Sequence, residues 1–292
     1  MIKIIKYFFE SLAIYLFFFI IKLLGLSVSR ILFSFIFKKI GPLIRSRDTL
    51  KKNLNIFSNK ISDQKKKEIE LNMWSNYGKT FVEYLFLRKY REDSFYEKQI
   101  QISGLEILDK IKKNGKPVIF ISGHFANFEL MSLVLTKNQI QLATIYRPLN
   151  NIFLNPFMEF LRKKFICKNQ IKKGLSGIRN SIDYLKNNHS IALMIDQRLS
   201  EGESLPFFKT KALTTTLPAQ LALKYNCDIV PIYLKRNIDD TFNLEIYNPV
   251  NVSNKDKNET SKINISLDLN KIIENMILKN PGQWIWTHNR WK

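Results

Sequence analysis

One of only three histidines in this 292-residue chain, His124, stands five positions ahead of a carboxylate, Glu129, in the string GHFANFEL at 123–130. An imidazole held in one tautomer by a carboxylate can take a proton from a hydroxyl, and the carboxylate then stabilises the imidazolium that forms. The spacing constrains the backbone. On one continuous helix, residues five apart point about 140° away from each other at roughly 100° per residue. The pairing therefore requires His124 to sit outside the helix that carries Glu129. A histidine after a strand can equally cap a turn, and a His and an acid five apart also arise by chance, so spacing alone leaves both readings open.

The flanking sequence supplies the required break. Residues 117–122 (PVIFIS) form a short apolar, β-branched run that reads as a buried strand, ended by Gly123. The stretch 128–137 (FELMSLVLTK) has helix-forming composition, with Asn127 as the expected N-cap and Glu129 in the first turn, where the helix dipole favours negative charge. Downstream, strands are expected at 141–146, 190–196 and 227–234, alternating with helices near 152–166, 177–187 and 217–225. Upstream, Ile69, Met73, Tyr77, Phe81 and Leu85 recur every four residues and predict an amphipathic helix over 68–88, its apolar stripe packed. The alternation predicts an α/β fold with a mainly parallel sheet flanked by helices. Sites in such sheets lie outside the carboxyl ends of the strands, and His124, Arg147 and Asp196 each close or follow one of the expected strands. The polar stretch 252–262 (VSNKDKNETSK) reads as a disordered insertion.

The formal charge is +21, from 46 Lys and Arg against 25 Asp and Glu. Such a charge points to acidic partners: nucleic acid, an anionic membrane, or acidic substrates and carrier proteins. Part of it is a compositional bias toward Lys, since only 11 of the 46 are Arg. The aromatic residues gather in the apolar N-terminus and around Trp284, Trp286 and Trp291 instead of alternating with Lys and Arg, which argues against nucleic acid. Cys167 and Cys227 form no spaced framework and fit the core of a protein from a reducing compartment. Three scattered histidines give no expected metal site. Phosphate-loop, dinucleotide, serine-hydrolase and zincin motifs are missing.

From residue 1 to about 40 the chain is dominated by Ile, Leu and Phe. Its uncharged stretch, 11–21, has 11 residues, short of the roughly 20 that cross a bilayer as a helix. A span over about 7–28 has to include Glu10 and Lys22. No small-residue cleavage site follows, and a second apolar run does, so a signal peptide is not expected. Lys38, Lys39, Arg45 and Arg47 form a basic cluster just beyond, suited to anionic head groups. The expected division is a hydrophobic membrane anchor over 1–45 and an α/β domain over 46–292.

The strings MWSNYGKTFVEY (73–84), GHFANFEL, IYRPLNN (145–151), MIDQR (194–198), LPFF (205–208), ALTTTLPAQLAL (212–223), IVPIYLKR (229–236) and PGQWIWTHNRWK (281–292) run through nearly the whole chain in order. Together they resemble the bacterial lipid A biosynthesis acyltransferases, the lauroyl and myristoyl transferases. The resemblance implies an enzyme anchored by its N-terminal helix on the cytoplasmic face of the bacterial inner membrane. Such an enzyme moves a fatty acyl chain from acyl carrier protein to a hydroxyl of a lipid A precursor. No cofactor is implied beyond the phosphopantetheine that carries the acyl donor. Acyl carrier protein and a phosphorylated glycolipid are both acidic, so the basic charge suits both partners and the anionic membrane. By this likeness His124 is the general base and Glu129 its orienting, charge-stabilising partner. Arg147 binds phosphate or the developing oxyanion, and Asp196 orders that arginine or the substrate. Gly123, with nearby backbone amides as an oxyanion site, and Asn127, Asn150 and Arg198 complete the expected substrate-binding set.

One position departs from the family pattern: Lys209 follows Phe207 and Phe208 where the family commonly has Gly. Because Lys adopts positive φ at a cost, a different turn is expected there. Two other readings stay open: an acyltransferase acting on a glycerolipid or another glycolipid, and a non-catalytic, membrane-anchored anion binder whose salt-sensitive binding ignores His124.

Overall fold

A computed structural model describes residues 2–44, 47–58, 60–250, 252 and 256–292. The chain opens with an apolar segment, α1 (Ile2–Ile44), whose two helical halves fold back on each other at Gly25 (φ 74°, a conformation suited to a residue without a Cβ), so that Phe17 meets Phe33 with ring centroids 5.8 Å apart and the Ser29 hydroxyl donates to the Ile21 carbonyl at 3.2 Å. Then come α2 (Arg47–Phe57), α3 (Asp63–Glu83) and α4 (Asp93–Gln99). The α/β alternation begins with β1 (Ile100–Ser103) and runs through α5 (Leu105–Asn114), β2 (Ile119–Ser122), α6 (Glu129–Lys137), β3 (Leu142–Tyr146) and α7 (Asn155–Phe165). It continues through β4 (Asn169–Lys172), α8 (Leu175–Lys186) and β5 (Ser190–Met194). A two-stranded hairpin, β6 (Glu203–Phe207) with β7 (Thr210–Thr214), precedes α9 (Leu217–Tyr225), β8 (Ile229–Arg236), β9 (Phe242–Ile246) and α10 (Glu259–Lys279).

The main sheet has seven strands in the order β1-β9-β8-β2-β5-β3-β4, and every pairing is parallel except β8 with β9. The two central strands, β2 and β5, are buried almost throughout, as expected for parallel strands covered on both faces. One apolar layer around Ile119, Ile121, Ile191 and Leu193 packs against α9, α10 and the C-terminal tryptophans. The opposite layer, around Phe120, Ala192 and Val230, packs against α5 and α6. The alternation of these residues along each strand is the two-residue period of a pleated sheet.

Several expectations require correction. The helix expected over 68–88 begins and ends five residues earlier, because Ser62 caps Lys65 at its start and 3-10 turns take over at Tyr84. Much of the stretch 252–262 is ordered: Val252 is buried, and α10 starts at Glu259 with the Asn258 side chain accepting from Ser261. Residues 253–255 of that stretch, and Arg45 of the basic cluster, lie outside the described residues. At 208–209 the tight turn survives without glycine. Phe207 pairs with Thr210, and both Phe208 (φ 49°) and Lys209 (φ 61°) adopt positive φ, the pattern of a type I′ hairpin. Glu274 accepts from the Phe208 amide and holds the turn in place.

A buried ion cluster joins α1 to this body. Glu83, at the end of α3, accepts from Arg30 of α1 at 2.8 Å and from both terminal nitrogens of Arg236 on β8. Burial opposes its ionisation, but the two guanidinium groups outweigh it and hold the carboxyl below its usual range.

Candidate functional site

Strands β2 and β5 are adjacent and parallel, with Ser122 opposite Met194. Two residues beyond each strand stand His124 and Asp196, so the sheet register itself brings them level. Ile195 extends the ladder one step by donating to the Ser122 carbonyl at 3.0 Å. Asp196 Oδ1 lies 2.8 Å from His124 Nδ1, while Oδ2 accepts both the His124 backbone N–H and Trp284 Nε1–H at 2.8 Å each. The Asp196 side chain has no solvent exposure, and burial alone would raise its pKa. His124 and these three donors overcome that and keep the carboxyl below its usual range. An ionised carboxylate only accepts, so Nδ1 carries the proton and the Nε2 lone pair is presented outward. The His124 side chain is 18% exposed, so the ring is not sealed from solvent.

The expected partner, Glu129, does not hold the imidazole. It is seated at the start of α6, as anticipated, but its Oε1 accepts from Arg162 Nε and Nη2 at 2.8 and 2.6 Å and from the Tyr84 hydroxyl at 2.5 Å. Burial and the Glu129 charge push the Tyr84 phenol well above its ordinary value, so it stays a donor. Arg162 Nη1 is buried and has no protein partner among the described residues. The His124 ring instead meets Phe128 edge to face, with centroids 4.7 Å apart.

The turn between β2 and α6 is tightly held. Phe125 N–H donates to the Gly123 carbonyl at 2.9 Å, folding the chain sharply at His124. A Cβ on Gly123 would lie 2.7 Å from the Phe125 ring and 3.2 Å from Asp196 Oδ2, so this close approach needs glycine. Ala126 sits at φ 45°, a left-handed conformation costing roughly 1–3 kcal/mol. Its surroundings impose it: its N–H donates to the Gln283 carbonyl, and its carbonyl accepts from Asn76 Nδ2 and Thr80 Oγ1. With the amides of His124, Phe125 and Ala126 all engaged, the amides following Gly123 do not form an oxyanion site.

Other expected residues fall in different places. Asn127 is not a side-chain cap; it is buried and its Nδ2 donates to Glu83 Oε2 at 2.9 Å, making it part of the ion cluster. Arg147 and Asn150 lie exposed beyond the end of β3, and Asp196 orders His124 instead of Arg147. Arg198 is folded against the C-terminal segment, its backbone N–H donating to His288 Nε2 at 2.9 Å and its Nε to the Lys292 carbonyl at 3.2 Å. Burial drives the His288 pKa down to about 4, keeping the acceptor nitrogen unprotonated. Trp284, His288, Arg162 and Tyr84 are the site residues that sequence reasoning missed as individuals. Among the described residues no group of three His, Cys, Asp or Glu side chains could hold a metal ion.

Comparison with known proteins identifies the family. The family described as bacterial lipid A biosynthesis acyltransferase matches residues 2–292. A lipid A biosynthesis palmitoleoyltransferase of Escherichia coli K12 is 25% identical over 257 residues, covering 86% of this chain and 80% of its own. A lipid A biosynthesis acyltransferase of Shigella flexneri matches to the same extent, 25% over 257 residues, with the same coverage of 86% and 80%. One from Haemophilus influenzae is 25% identical over 206 residues, 68% of this chain and 63% of its own.

Proposed function

Because the chain belongs to the bacterial lipid A biosynthesis acyltransferases, we propose that it moves a fatty acyl chain from acyl carrier protein to a hydroxyl of a lipid A precursor, with His124 as general base. The work is done at the cytoplasmic face of the inner membrane. The observation that carries this reading is the His124–Asp196 pair, which fixes the proton on Nδ1 and leaves Nε2 to receive another.

In the reaction, Nε2 takes the proton of the acceptor hydroxyl as its oxygen attacks the thioester carbonyl. The tetrahedral intermediate collapses with cleavage of the C–S bond, the imidazolium returns its proton to the departing thiolate, and an ester and a free thiol result. Asp196 holds the ring and stabilises the imidazolium. Glu129 acts through Arg162, fixing a guanidinium whose unengaged Nη1 is a donor for the developing oxyanion or for the acceptor. Arg147, exposed at the end of β3, is available to acceptor phosphate.

The test is transfer from acyl carrier protein to a lipid A precursor by the His124→Ala protein, checked for intact fold and membrane binding. Transfer is expected to vanish; full residual activity overturns the assignment. Mass spectrometry of host glycolipids after removal of this protein is expected to show one missing secondary acyl chain. Unchanged glycolipids would redirect the reading to a glycerolipid acceptor.

A further inference from the structure

The C-terminal segment that supplies Trp284 to Asp196 also carries His288, and the fold fixes that residue from several sides. Asn53, fully buried on α2, donates through Nδ2 to the Trp286 and His288 carbonyls at 2.8 and 2.7 Å. The Arg290 amide donates to the same His288 carbonyl at 2.9 Å, and the Tyr77 hydroxyl of α3 lies 3.1 Å from Thr287 Oγ1. The ring itself is held at Nε2 by the Arg198 amide, two residues past Asp196. His288 is thus tied to the same strand end that orders His124.

A backbone amide can only donate, so Nε2 offers its lone pair and Nδ1 carries the proton. That N–H has no protein partner among the described residues. Unlike Nε of the neighbouring Arg290, which is also unpartnered, it is not enclosed in the core. Burial, His124, Arg290 and Lys173 all oppose a positive charge on this ring, and Asp196 favours one. The opposing influences win, so His288 is a neutral donor at pH 7. A neutral imidazole can polarise a carbonyl by hydrogen bonding without giving up its proton. Acyl transfer creates an oxyanion beside His124, where the amides of His124, Phe125 and Ala126 are already engaged. Holding the Arg198 amide uses Nε2 alone. It gives no reason for a rigidly mounted N–H to stand open near the base, whereas a preorganised donor for developing charge has to be built that way.

We infer that His288 is a catalytic residue whose Nδ1–H binds the thioester carbonyl oxygen and stabilises the oxyanion that forms on it. This rests on the acyl-transfer reading above and adds an electrophile to the base. As the acceptor oxygen bonds to the carbonyl carbon, its proton passes to His124 Nε2 and the C=O π pair moves onto the carbonyl oxygen, where the His288 N–H holds it. When that pair returns, the C–S bond breaks, the thiolate takes the proton from His124, and His288 ends unchanged. Arg162 Nη1 is then left for the acceptor.

The experiment compares His288→Gln with His288→Glu in the full chain, by steady-state transfer from the carrier-protein thioester to a lipid A precursor. The two side chains have the same shape and both accept from the Arg198 amide, but only Gln can donate. Arg290 and Lys173 are at hand to accommodate the added carboxylate. Gln is expected to keep kcat within about tenfold of wild type, and Glu to lower it by a further factor of roughly 10²–10³, both with KM changed less than about threefold and the unfolding transition intact. Equal kcat in the two variants, or a change confined to KM, overturns the inference and returns the oxyanion to Arg162. If the Glu variant does not fold, 15N-histidine NMR of the wild-type chain at neutral pH decides: a proton on Nδ1 and a bare Nε2 are expected for His288, and a proton on Nε2 overturns the inference. Full transfer by His124→Ala overturns the acyl-transfer reading itself, an outcome separate from either His288 variant.

Discussion

Replacing Asp196 by asparagine changes one atom of the site and should reverse the polarity of the catalytic ring. Asp196 Oδ2 faces two donors, the His124 amide and Trp284 Nε1, whereas Oδ1 faces only the imidazole, all at 2.8 Å. An amide has one oxygen, and that oxygen is drawn to the side with two donors. The NH2 group is then left against Nδ1, where it can only donate, so the ring must place its proton on Nε2 and loses the lone pair that accepts the substrate proton. In a hydrolase triad the same change lowers kcat by roughly four orders of magnitude, or about 5.5 kcal/mol at 1.36 kcal/mol per decade. Loss of charge in three bonds also costs stability, roughly 1.5–3 kcal/mol per charged bond before compensation by the amide. The assay is single-turnover acyl transfer from the carrier-protein thioester, run alongside circular dichroism and thermal unfolding in the same detergent. A loss of three to four decades with an intact unfolding transition is expected. A folded Asp196→Asn protein keeping more than about a tenth of the wild-type rate would refute the proposed proton path.

Glu83→Gln leaves Arg30 and Arg236 buried beside a neutral amide. Removing one partner of such a cluster costs about 3–5 kcal/mol, to be read from chemical denaturation, and a loss below about 1 kcal/mol contradicts the ion-cluster account. His288 has a folded pKa of about 4, against roughly 6.5 in an unfolded chain. The unfolded state therefore binds the extra proton, and stability is full above about pH 6.5 and falls as pH drops toward 4. After allowance for partial exposure, the loss is about 2 kcal/mol; His288→Gln, which keeps an acceptor for the Arg198 amide, should flatten this acid limb in pH-resolved unfolding. Lys209→Gly relieves a positive-φ side chain in the β6–β7 turn. Net of the greater unfolded-state freedom of glycine, a gain of about 0.5–1 kcal/mol is expected as a higher Tm, and a lower Tm argues against the type I′ turn.

The elements that carry the site were legible because local patterns encode them. The run ending at Ser122 declares a strand by its β-branched content, the run ending at Met194 by its short apolar stretch, and the helix that begins at Glu129 by its composition. The partners were not legible, because adjacency of strands is a long-range property. That β2 lies beside β5 decides that His124 meets Asp196, 72 residues away, and not the nearer Glu129. Arg162 lay hidden in a basic run on α7, where Lys163 and Lys164 do face outward and the arginine alone turns in. The clustering of the C-terminal tryptophans is visible in the sequence, but not that Trp284 donates to Asp196. The β6–β7 turn misled for another reason: a local rule against positive φ at Lys209 yields to hairpin pairing and the Glu274 contact.

The clamp on Ala126 has a consequence for the order in which the molecule comes into being. The carbonyl that fixes this turn belongs to Gln283, and the indole that completes the Asp196 environment belongs to Trp284. Both are added about 160 and 90 residues after the groups they hold, roughly 8–30 s and 4–18 s at typical rates of elongation. The strands and helices that carry His124 and Asp196 are therefore synthesised well before the C-terminal groups that close the turn and complete the Asp196 environment, and the site is assembled only after α10 has been made.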